Sequence, residues 1–152
     1  MAGFTNRGKM RMLKGWFQAL STPTNFFIAL VTSAVAPIAS TNTLSELTQI
    51  ASGNGYTTNG ISLNRNATDF VSLTEDDSAD RAYIRLKDIV WTASGGSMPS
   101  SGSGARYAVI TDDNVTPASR DVLQYFDLAA DRTISVGQTL TLSAAEFRLN
   151  ET

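Results

Sequence analysis

The chain has 152 residues, a net charge of −2 and a hydrophobic share of 42%, enough for one domain with a real core. That balance calls for neither nucleic acid nor an anionic membrane as partner. It holds no cysteine and no histidine, which removes disulfides, thiolate metal sites, Cys–His and Ser–His–Asp catalysis and most zinc chemistry. The expectation is a non-enzymatic protein with no cofactor and no bound metal. Catalysis is not forbidden, since carboxylate pairs and lysines remain.

Threonine, serine and asparagine are plentiful while lysine and glutamate are scarce, a composition for strands and turns. At the start, Met10, Leu13, Trp16, Phe17 and Leu20 recur at steps of three and four, which predicts one apolar face of a short helix. Arg7, Lys9, Arg11 and Lys14 then fill its wet side, and Pro23 ends it. Residues 26–32 form a continuous apolar run, predicted as a strand buried on both faces. Behind the basic start, residues 25–40 also have the outline of a secretory signal, with Ala34-Val35-Ala36 as a cleavage site. The long charged region, Trp16-Phe17 and the turn at Thr22-Pro23 argue for the strand, and the run is too short to span a bilayer.

Thr43 and Glu46 make a capping-box pattern for a second short helix reaching about Ile50. Asn59-Gly60 is a turn signal between β-prone flanks. Strands are predicted over 69–74, 82–91, 106–111, 121–128 and 146–149, with two short β segments over 133–142 joined at Gly137. Ile84, Leu86, Ile89, Val109, Leu123 and Phe126 are the expected core of these strands. Residues 93–104 (ASGGSMPSSGSG) read as a mobile Gly/Ser loop. The spacing predicts a mainly β, single-domain antiparallel β-sandwich or jelly-roll-like fold with two short helices. It divides into an N-terminal amphipathic helix or arm over 1–24 and a β-sandwich domain over 25–152.

Two acidic clusters invite a calcium reading: Glu75, Asp76, Asp77 and Asp80, and Asp112-Asp113 with Asn114. Neither has EF-hand spacing, so solvated turns are the better reading. A glycosidase pair needs two carboxylates held across a cleft, and adjacent turn carboxylates rarely provide that. The glycines of 93–104 are not a phosphate loop, since Ala105-Arg106 follows where a Walker loop needs Lys-Ser/Thr. Candidate interaction residues are therefore Arg7, Lys9, Arg11, Lys14, Trp16 and Phe17 on the helix, and Ser97, Met98 and Pro99 in the loop.

The order of these segments carries a resemblance. A basic amphipathic helix leads into NFFIALVTSA, a capped TLSEL, GNGYTTNGISL, DIVWTASGG, ARYAVITDDN, RDVLQYFDL and a closing VGQTLTL. From about Gly8 to Leu149 the chain resembles small structural proteins of tailed bacteriophages, the capsid cement or decoration proteins in particular. The resemblance implies a virion protein, a homotrimer, that binds the major capsid protein or other virion proteins and stabilises the capsid lattice. It implies no catalytic residues. A tail, baseplate or adhesion component of the same kind of particle is the alternative. A secreted carbohydrate-binding module is more remote, with Trp16, Tyr56, Trp91 or Tyr107 as a stacking platform and calcium in an acidic loop.

Overall fold

The computed structural model describes residues 2–150, so Met1, Glu151 and Thr152 of the two expected segments lie outside the described residues. Among the described residues ten strands pair antiparallel throughout: β1 (Ala2–Phe4), β2 (Asn25–Val31), β3 (Ile61–Asn64), β4 (Phe70–Asp76), β5 (Arg81–Leu86), β6 (Ile89–Thr92), β7 (Ala105–Thr111), β8 (Val122–Arg132), β9 (Thr139–Leu142) and β10 (Glu146–Asn150). They form a five-stranded sheet in the order β1-β8-β7-β2-β3, a three-stranded sheet β10-β5-β4 and a two-stranded ribbon β6-β9. The fold is mainly β and sandwich-like, as the strand spacing predicts.

The apolar run of β2 explains the central layer. Successive side chains of a strand point to opposite faces, and here both faces are covered. Ile28 and Leu30 join Ile110, Ala108 and Phe126 in the main core, closed from the other side by Leu86, Ile89, Trp91 and the half-buried Leu140 and Phe147. Ala29 and Val31, with Val109 and Val122, meet Leu44 and Leu47 on the opposite face. A two-sided burial of this kind leaves no room for hydrophobic-polar alternation. Of the expected core, Leu86, Ile89, Val109, Leu123 and Phe126 are buried, and Ile84 is only half-buried.

The second helix is shorter than expected. Leu44–Glu46 is a single 3-10 turn, with the Glu46 carboxylate accepting from the backbone N–H groups of Asn42 and Thr43. It stops because Leu47 turns extended to reach the core, and Gln49 and Ile50 pair with β2. Asn59 and Gly60 both take positive φ, as the turn signal requires. The chain on the N-terminal side of that turn forms no strand, since Tyr56 bends back to pair with Gly53. Near Gly137 only β9 is a strand, and Ile134 makes an isolated bridge with Met98.

That bridge corrects the expectation of a mobile loop over 93–104. Met98 and Ile134 exchange both backbone hydrogen bonds, at 2.9 and 3.0 Å. Asn54 Nδ2 donates to the Ser97 carbonyl at 2.7 Å, and Ser100 Oγ to the Ser52 carbonyl. Met98 packs into the main core, and Pro99 is buried beside it. Glycine and serine make the loop compact enough to lie on the sandwich, and one methionine anchors it.

Candidate assembly surface on the first helix

Helix α1 (Asn6–Phe17) begins where Thr5 caps it: Thr5 Oγ1 accepts from the Gly8 N–H at 2.9 Å. The cap is buried, and the same hydroxyl donates to the Val122 carbonyl. The helix ends at Phe17, well before Pro23, because Ala19 takes a left-handed φ of 51° and Leu20 N–H folds back to the Lys14 carbonyl.

The orientation of α1 reverses the sequence expectation. Its docked side is formed by Gly8, Arg7 and Arg11, which face β8. A Cβ placed on Gly8 would lie 2.3 Å from the Leu123 carbonyl oxygen, so only glycine permits this approach. Arg11 forms a salt bridge with the buried Asp121 through both Nε and Nη2, and Nη2 lies 3.7 Å from Asp112. Arg7 Nε stands 3.6 Å from the other oxygen of Asp121. Both Arg11 nitrogens converge on Asp121 Oδ2, and the several donors of a permanently charged guanidinium let one side chain reach Asp112 as well.

With the arginines turned inward, the apolar residues point out. Trp16 is 84% exposed, Phe17 74% and Leu13 59%, and Met12 is also exposed. Met10 and Leu20 are half-buried. Lys9 and Lys14 are exposed around this stripe. Of the nine candidate residues, the structure thus brings together Lys9, Leu13's neighbours Trp16 and Phe17, and Lys14 on one outer surface. Arg7 and Arg11 are half-buried against the domain's own acids, Ser97 is exposed elsewhere, and Met98 and Pro99 are interior. Asp112, expected in a solvated turn, is buried instead, and Asp121 is a further functional residue that no sequence pattern singled out. Their one visible signal is position, at the facing ends of the adjacent strands β7 and β8.

The acidic turn at Asp112 is structural. Asp112 Oδ1 accepts from the Asp121 N–H at 3.0 Å, and burial, with the like charge of Asp121 adding to it, pushes the Asp112 carboxyl upward. Asp113 Oδ2 accepts from the Thr24 and Asn25 N–H groups at 2.9 and 3.2 Å and from the Thr24 hydroxyl. Burial pushes the Asp113 carboxyl up, but these bonds together outweigh it and hold it below its usual range. Arg120 lies between, its guanidinium 3.6 Å over the Phe27 ring. In the other cluster Asp76 accepts from Arg81 and Ser78 at the tip of the β4–β5 hairpin. No group of three or more carboxylates among the described residues is placed to hold a metal ion. No helix among them is long and apolar enough to cross a membrane.

Of the four aromatic residues considered for sugar stacking, Trp16 is exposed and Tyr107 half-buried. Trp91 and Tyr56 are buried, the Tyr56 hydroxyl donating to Gln49 at 3.0 Å with its pKa pushed by burial to about 12. No family model, curated protein or solved structure matches the chain.

Proposed function

We propose that the chain is a non-enzymatic structural protein of a tailed-phage particle, a capsid cement or decoration protein that binds the major capsid protein lattice. The observation that carries the assembly part of this reading is the outward aromatic face of α1. A helix held by half-buried ion pairs, with a tryptophan and a phenylalanine in water, maintains a large apolar surface that a solitary protein has no use for. Tryptophan is among the residues enriched at the energetic centres of protein interfaces. The particle itself is suggested by the order of segments along the chain. Repetition over a symmetric lattice turns weak individual contacts into firm attachment.

The test uses purified particles. This reading predicts the protein on mature heads in many copies, seen by quantitative gel and by density on the capsid surface, and rebinding of full-length protein to stripped heads. A low copy number confined to the tail would favour the tail or baseplate alternative. Absence from heads and tails alike would overturn the virion reading.

A further inference from the structure

The outer face of α1 continues into an apolar groove of about 440 Å³, lined by Phe4, Met12, Phe26, Phe70, Ile84 and Phe147. Met12 joins the two, being four residues before Trp16 and so on the same side of the helix. Beyond the groove the apolar surface runs onto the three-stranded sheet. Leu73 pairs with Ile84, Ile84 with Phe147, and Leu149 with Ala82. Directly paired residues, and residues two apart, share a face of the sheet. Leu73 is 79% exposed there, and Leu149 is exposed as well.

The two ends of this band carry opposite charge. At the helix end stand Lys9 and Lys14, both exposed and without an ion pair among the described residues. At the hairpin end, Glu75 shares the face of Leu149 through its pairing with Ala82, and Asp77 and Asp80 border the same shallow hollow. Arg81 is committed to Asp76, which leaves those three carboxylates uncompensated by an ion pair among the described residues. An apolar band that is basic at one end and acidic at the other is complementary to a reversed copy of itself. Two copies related by a two-fold axis would set each helix end against the other's hairpin end.

We infer that the occupant of this band is a second copy of the chain, with Trp16 and Phe17 of each copy lying on the groove and hairpin face of the other, a two-fold pair in place of the homotrimer that the resemblance implies. The inference rests on reading α1's outer face as an assembly surface and names its partner. The experiment is sedimentation equilibrium of the full chain across the micromolar range, with circular dichroism to verify the fold of each variant. The native chain should associate, and Trp16→Glu should run as a monomer. Lys9→Glu with Lys14→Glu, and separately Glu75→Lys with Asp77→Lys, should each weaken association by about tenfold or more. The four changes together should return it to within a few-fold of native. A monomeric native chain, a Trp16→Glu chain of native mass, or no recovery in the fourfold variant would each overturn the inference. Should Trp16→Glu fail to fold, the charge exchange alone decides. A chain that is monomeric yet binds heads would defeat this inference and leave the virion reading standing, and one that associates yet never binds heads would do the reverse.

Discussion

At Gly8 a side chain has no room, and that single position sets how α1 meets the sheet. The Leu123 backbone stands where a Cβ would go, and backbone does not give way as a flexible side chain does. Alanine is the better helix former by about 1 kcal/mol, yet Gly8→Ala should lower stability, by about 1–3 kcal/mol in urea titration, because overpacking wins. Ala19 presents the opposite case. Its left-handed φ of 51° suits glycine, so Ala19→Gly should raise stability by about 0.5–1 kcal/mol, read as a higher Tm. The carboxylates supply two pH effects of opposite sign. Arg85 and Arg148 hold the Glu146 carboxyl below its usual range. Its stabilisation is therefore present above the ordinary carboxylate pKa and is lost as pH falls through the lowered value. Burial raises Asp112, so its contribution is complete below the ordinary value and declines as pH rises through the raised one. Relative to the native chain, Glu146→Gln should lose stability as pH rises from about 3 to 6, and Asp112→Asn should gain over the same range. Matching slopes for the two variants would contradict these environments.

Among the elements, β2, β7 and β8 are legible in the sequence because their apolar runs need no partner to be recognised as strands. The extent of α1 is legible in part and its orientation is not. Periodicity finds an apolar stripe and assigns it to the core, since that is where such a stripe usually goes. Here the inward side is decided by Asp121, separated from Arg11 by 110 positions, and by a glycine whose close approach depends on β8. Neither is visible in a window of helical length. The loop over 93–104 hides its anchor for a similar reason, since Met98 pairs with Ile134, far along the chain and outside any strand. Two substitutions separate core from surface at this scale. Phe126→Ala, in β8 at the centre of the main core, should cost about 3–5 kcal/mol. Trp16→Ser, though it removes the larger side chain, should change monomer stability by less than about 0.5 kcal/mol.

For the whole molecule, the five-stranded sheet, the smaller sheets facing it and α1 follow from strand pairing and burial, while the outward aromatic face of α1 follows from the ion pairs that turn the helix over. Removing residues 1–20 would take away β1, the buried Thr5 and the Gly8 contact together, so truncation confounds folding with assembly and point changes on the outer face do not. The chain's two tryptophans make the central claim measurable, since Trp16 stands in water and Trp91 in the core. A Trp91→Phe chain keeps an aromatic ring in place and removes a buried indole N–H that has no partner among the described residues, leaving Trp16 as the sole reporter. Its acrylamide quenching, measured in dilute protein and again in the assembled form, is the most direct test of an outward Trp16. Quenching near that of free tryptophan is expected in the dilute chain, with strong protection on assembly. A Trp16 already protected in the dilute monomer would show that α1 packs its aromatic face on its own domain and leaves no outward surface for assembly.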